Sequence, residues 1–259
     1  MFKFGCKSSC QHSFLGKSKK QVAIAERHQE LLMLAREIIA LEGFHSFTMD
    51  KLAAKSAYSK GTIYNHFNSK EDVIVALSIE SMKFMESLFK RAYEFQGSSR
   101  ERMVALHVAY NLFSKLEPVM FLCVLTSKTP WVMEKCDPEN LEKSIAQEER
   151  LIAVADQFIT DAVSAGDLQL SPTISSDTLI FANWAVAFGT NALINSAKES
   201  RCIEPVLDPF TALYNINIML DGMQWLPLSS KWDYKKVWLK VEETIFADEV
   251  ACLKASNSI

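Results

Sequence analysis

Glycine and proline are scarce, 8 and 7 in 259 residues, where average usage gives about 18 and about 13. Too few turn-formers remain for a sandwich or barrel of many short strands. Nowhere does the chain reach the roughly 18 consecutive apolar residues of a membrane-spanning helix. The first twenty residues alternate Lys, Cys, Ser and His without the apolar run of a secretion signal, so a cytoplasmic chain without a membrane partner is expected. Six cysteines (Cys6, Cys10, Cys123, Cys136, Cys202, Cys252) form no CxxC pair, which points to reduced, structural thiols. Cys6, Cys10 and His12 stand close together but supply three ligands at non-standard spacing, short of the closed four-ligand set of structural zinc. Neither a metal nor a cofactor is expected.

The formal charge of −3 hides an asymmetry. Residues 1–72 hold eleven Lys/Arg against seven Asp/Glu, and the remaining 187 residues hold seventeen against twenty-four. A basic N-terminal end on an acidic body suits a polyanionic partner at that end. Residues 1–20, with five of the lysines and no periodicity, read as a flexible basic arm.

Hydrophobic periodicity is helical throughout. From Gln21 to Glu42 the apolar positions Leu31, Leu32, Ala35, Ile38 and Ile39 recur at three- and four-residue steps, and Gly43-Phe44 supplies a stop. Thr48 caps a two-turn helix ending near Ser56 or Ala57, and Ser59 caps another, Lys60 to Phe67, whose inward pair is Ile63 and Phe67. Ser69 and Asp72 form a near capping box for a long helix to about Phe95. Prolines then punctuate helices at about 99–116, 118–127, 138–165, 176–198, 209–222 and 231–254. The expected class is all-α, with residues 21–70 as an N-terminal domain of short helices and 71–259 as a larger helical domain.

Two short helices joined by a tight turn match a helix-turn-helix, in which the second helix enters the major groove. The outer face of that second helix carries side chains suited to DNA contact. Lys60 and His66 fit phosphate, Thr62 fits phosphate or a thymine methyl, and Tyr64 and Asn65 fit the backbone or a base edge. Lys70 adds a cation beside the next helix N-terminus, whose N–H groups and dipole favour phosphate.

The run Thr48-Met-Asp-Lys-Leu-Ala-Ala-Lys-Ser-Ala-Tyr-Ser-Lys-Gly-Thr-Ile-Tyr-Asn-His-Phe-Asn-Ser-Lys-Glu71 resembles the DNA-binding signature of the TetR (tetracycline-repressor-like) family, over residues 24 to about 75. The resemblance implies a homodimer that binds a palindromic double-stranded operator through two such heads, with residues 21–70 as the helix-turn-helix DNA-binding domain and 71–259 as the helical ligand-binding and dimerisation domain. It places Thr48, Ser59, Lys60, Gly61, Thr62, Tyr64, Asn65, His66 and Lys70 at the DNA, and Phe67 as the lock of the recognition helix. One position departs from the pattern: Ala57 stands where the family commonly has Gly in the turn, and a left-handed Ala costs about 1 kcal/mol.

The C-terminal two thirds contain no GxSxG, HExxH or phosphate-cradling glycine loop, and His107 is the only histidine after residue 66, so an enzyme is not expected. By the same resemblance, His107, Tyr110, Phe113, Phe121, Trp131, Phe158 and Trp184 are candidates to line a cavity for a small apolar effector. Phe188, Gly189, Ala192, Leu213, Ile216 and Leu220 are candidates for a two-fold helical interface. The leading reading is a ligand-responsive transcriptional regulator, a repressor released by its effector. The rival is a DNA-binding assembly protein whose C-terminal domain binds a protein partner, and a redox variant of the first senses oxidants through Cys123 or Cys136.

Overall fold

A computed structural model describes residues 18–257. The Cys6, Cys10 and His12 group and residues 1–17 of the expected arm lie outside the described residues. The arm's last three residues belong to the first helix: Ser18 caps α1 (Lys19–Ser46), accepting from Gln21 N–H while the Gln21 side chain accepts from Ser18 N–H at 2.9 Å. Gly43, at φ 80°, interrupts α1 where the sequence places its stop. There follow α2 (Met49–Lys55), α3 (Lys60–Tyr64), α4 (Lys70–Tyr93), α5 (Ser99–Leu116), α6 (Pro118–Thr126), α7 (Pro130–Met133), α8 (Pro138–Ser164), α9 (Ser176–Ser196), α10 (Thr211–Gly222), α11 (Tyr234–Thr244) and α12 (Ala247–Asn257). Among the described residues there is no β-strand, and no single helix is long and apolar enough to cross a membrane.

Two compact units emerge. Of the described residues, one comprises those up to Ser81 together with Val119–Ala146; the other comprises Met82–Pro118 and those from Gln147 on. The division therefore falls eleven residues later than the 70/71 boundary expected from the sequence, and the 119–146 segment joins the N-terminal unit. α4 and α8 each run through a boundary between units.

The first unit is organised around one apolar cluster. Leu31, Leu32, Ala35, Ile38 and Ile39 of α1 meet Met49 and Leu52 of α2, Ile63 of α3, Phe67, and Val73, Ala76 and Leu77 of α4. Cys123 of α6 completes it. The second unit is built on α5, buried from Met103 to Ser114 and packed against α9, α10, α11 and α12. At its start the fully buried Arg100 donates to Trp225 O at 2.5 Å and to Asn217 Oδ1 at 3.1 Å, pairs with Asp221 at 2.7 Å, and lies over the Tyr234 ring. This one cation ties α5, α10 and the start of α11 together, and its pairing offsets the cost of burying it.

The expected helix 231–254 is two helices, broken at Ile245-Phe246, where the Phe246 side chain is fully buried. α7 and a 3-10 turn at Glu204–Val206 add two short elements that the sequence pattern does not announce.

Candidate nucleic-acid interface

Local capping builds the helix-turn-helix. Thr48 Oγ1 accepts from Lys51 N–H at 3.2 Å and starts α2; Ser59 Oγ accepts from Thr62 N–H at 3.2 Å and starts α3. Between them Ser56 closes the turn: its Oγ accepts from Tyr58 N–H at 3.2 Å and donates to Ala53 O at 3.2 Å. Ala57 is not in the left-handed region, since Gln224 is the one non-glycine residue with positive φ among the described residues. Ala57 therefore carries no left-handed strain, and the Ser56 side chain closes the turn around it. Tyr58 then anchors the turn to α1, its hydroxyl donating to Glu30 at 2.5 Å and its ring lying 5.1 Å from the Arg27 guanidinium.

Ile63 and Phe67, each 1% exposed, fix α3 to the core. That burial turns the opposite side outward. Tyr64, Asn65, Lys60, Gly61 and Ser59 are exposed, and Thr62, His66 and Lys70 half-buried. α3 therefore offers a hydroxyl (Thr62), a phenol (Tyr64), an amide (Asn65) and an ammonium (Lys60) within two turns, the donor and acceptor types that read base edges and phosphates. At Gly61 a Cβ would meet nothing closer than Ser59 Oγ at 4.0 Å. The missing side chain is thus not a demand of this fold, and it leaves the helix surface bare for close approach of a partner.

The charges on this face are held loosely. Lys60 pairs with Asp50 at 2.6 Å, and this contact raises its pKa, but both side chains are well exposed, so a phosphate exchanges for the carboxylate at little cost. His66 packs beside His28 (5.9 Å) and Phe67 (6.3 Å). Burial, and secondly Arg27, hold its pKa below the ordinary histidine value, so at neutral pH the ring offers a hydrogen bond rather than a charge. Lys70, at the start of α4, has its ammonium 5.9 Å from the centre of the Trp131 ring.

Sequence reasoning places Asp72 in the cap of α4 and misses its tertiary role. Fully buried, its carboxylate accepts from Asn68 N–H at 2.9 Å, from Asp137 N–H at 2.7 Å and from the Cys136 thiol at 3.1 Å. With Asn68 Nδ2 donating to Asp137 Oδ2 at 2.9 Å and Ser69 Oγ to Lys135 O at 3.3 Å, it docks the 135–137 turn on the chain entering α4. Asp72 itself is legible as a first-turn cap; its partners Cys136 and Asp137, over sixty residues away, leave no local signal.

The other expected sites fare differently. In the second unit His107 Nε2 lies 3.0 Å from Asn183, Trp184 Nε1 donates to Tyr110 at 3.1 Å, Tyr110 and Phe113 rings are 6.4 Å apart, and Phe158 packs edge-on against Tyr93. Phe121 and Trp131 are not of this group; they belong to the first unit, and Trp131 is 42% exposed beside Lys70. Half of the expected dimer face is corrected. Leu213, Ile216 and Leu220 are the chain's own core, at most 1% exposed, because α10 turns that row towards its neighbours. Its outward row carries Tyr214 and Ile218, the latter 73% exposed. On α9, Phe188, Gly189 and Ala192 are half-buried beside the exposed Phe181, Ala185 and Leu193. Cys123 and Cys136 are buried, and burial pushes both thiols up, Cys136 to about 12 with Asp72 adding to the effect. Neither has the accessible thiolate that an oxidant sensor requires.

The family model described as bacterial regulatory proteins, tetR family, matches residues 31–77, from the middle of α1 into α4. Over 144 residues the chain is 24% identical to the fatty acid metabolism regulator protein of Bacillus subtilis, covering 55% of this chain and 71% of that one. It is 38% identical to the transcriptional regulator UidR of Escherichia coli K12 over 64 residues, a quarter of this chain and 33% of UidR. A solved tetR-family regulatory protein from Rhodococcus shares the fold, with a TM-score of 0.56 and 18% identity over 76% of this chain and 96% of that one. Residues 31–77 thus match the DNA-binding domain of the tetR family of bacterial regulatory proteins, and the chain shares the helical fold of a solved member over most of its length.

Proposed function

We propose that the chain is a one-component repressor that binds a palindromic operator as a homodimer and is released by a small, largely apolar effector taken up in the second unit. The observation that carries the DNA half is the outward face of α3, where Lys60, Thr62, Tyr64 and Asn65 stand clear of a core that fixes Ile63 and Phe67. Support for the dimer comes from the apolar side chains that α9 and α10 leave exposed, Phe181 at 64%, Leu193 at 53% and Ile218 at 73%. Rows of this kind on neighbouring helices are the material of a two-fold four-helix contact.

Two recognition helices enter successive major grooves only when about 34 Å apart. α4 and α8 run from one unit into the other, so an effector that favours a different separation of the heads weakens operator binding, and by linkage the operator weakens the effector equally.

The test is hydroxyl-radical footprinting of the chain on its operator, with sedimentation of the complex. Two protected blocks one helical turn apart, related by a dyad, with two chains per site, are expected. One block with one chain refutes the dimeric reading.

A further inference from the structure

Within the second unit α5 and α9 meet along a seam of buried polar side chains. His107, Asn111 and Ser114 line it on α5, Asn183 and Asn191 on α9. Both α9 amides are oriented by their own helix: Asn183 Nδ2 donates to Leu179 O and Asn191 Nδ2 to Ala187 O, each at 2.8 Å. Their Oδ1 atoms therefore face α5, which must supply donors. At Asn191 it does so twice, through Asn111 Nδ2 at 2.7 Å and Ser114 Oγ at 3.1 Å.

The same rule fixes the tautomer of His107. Its Nε2 lies 3.0 Å from Asn183 Oδ1, an acceptor, so Nε2 carries the hydrogen. Burial holds the ring's pKa at about 4, and a neutral imidazole has a single N–H. Nδ1 is thus a bare lone pair. It is buried, in a residue 1% exposed, and has no hydrogen-bond partner, whereas nearly every buried acceptor finds one. Tyr110 and Trp184, on the same two helices, give the seam an aromatic neighbourhood.

Resting on the ligand-responsive reading above, we infer that His107 Nδ1 is the polar anchor of the effector site, and that the effector is an uncharged, largely apolar molecule presenting an O–H or N–H donor to it. An alcohol, a phenol or an amide satisfies that lone pair. An ether or a carboxylate brings only further acceptors and leaves it unsatisfied.

The experiment is calorimetric titration of the full chain with two isomeric pairs, n-nonanol against methyl octyl ether and para-propylphenol against para-ethylanisole. In each pair only the first member has a donor. The donor member is expected to bind about tenfold or more tightly. His107→Phe, a ring without an acceptor, abolishes the preference; because it also strips Asn183 of its donor, His107→Gln is made beside it, and, keeping one donor and one acceptor, it retains part of the preference. Nitrogen NMR of the histidine-labelled wild type needs no variant: Nε2 is protonated, and the Nδ1 resonance moves on adding n-nonanol. Equal binding within both pairs, binding of neither member, or a hydrogen on Nδ1 overturns the inference. Failure of the repressor reading looks different: the pairs are discriminated through His107, yet the operator complex persists when the site is saturated with n-nonanol.

Discussion

His107 makes stability depend on pH in a way that one substitution isolates. Burial is the cause of its lowered pKa, about 4 against 6.5 for a free histidine, and the hydrogen bond to Asn183 only partly opposes it. A folded-state value below the unfolded one means that the unfolded chain takes up the proton first. The stability associated with the neutral ring is fully present above about pH 6.5, declines as the pH falls below that value, and is exhausted once the pH has passed the folded value near 4. Between about pH 8 and about pH 5 this group alone removes about 2 kcal/mol, the logarithm of the ratio of the two binding polynomials. Carboxylates titrate in the same range, so the quantity to read is the difference between wild type and His107→Gln in urea unfolding followed by circular dichroism. The wild-type curve is expected to fall more steeply by up to one proton, and to have lost about 2 kcal/mol more than the variant by about pH 5. Parallel curves would mean that the ring is hydrated or charged in the folded chain, and the account of the α5–α9 seam fails.

Other perturbations separate the parts of the structure. Phe67→Ala empties a fully packed site under the recognition helix and costs about 3–5 kcal/mol, seen as lost stability before any loss of DNA contacts is considered. Asp72→Ala strands the Asn68 and Asp137 N–H groups and costs about 3 kcal/mol by urea unfolding; a change under about 1 kcal/mol would show that the 135–137 turn is not held by this carboxylate. Lys60→Ala leaves stability within about 0.5 kcal/mol, since its partner Asp50 is exposed, yet lowers operator affinity and reduces the slope of log affinity against log salt by about 1 per head. Ile218→Asp yields a folded monomer by sedimentation, whereas Ile216→Asp, two residues away but buried, unfolds the chain; equal behaviour of the two contradicts the assignment of the α10 faces.

The DNA-binding head is legible in the sequence because its determinants are local. Caps at Thr48 and Ser59, inward Ile63 and Phe67, and the polar row between them all lie within twenty residues, and the structure keeps them where helical spacing puts them. α10 misleads because it is apolar on two sides: Leu213, Ile216 and Leu220 on one, Tyr214 and Ile218 on the other. Periodicity finds the rows and does not say which is turned to the chain's own core. Residue type and the family resemblance group Trp131 with the ligand-lining aromatics, and only the tertiary fold places it beside Lys70. The split of the last helix at Phe246 follows from burial of that side chain, which the helical pattern before and after it does not disclose.

The central claim, that the outward face of α3 reads a DNA sequence, is tested most directly by selecting genomic fragments with the purified chain at near-physiological salt, in parallel with Tyr64→Ala and Lys60→Ala. The account predicts one inverted repeat enriched by the wild type and lost with both variants, while all three proteins unfold at similar urea concentrations. Enrichment of the same repeat by the variants, or of no repeat by a well-folded wild type, would contradict it.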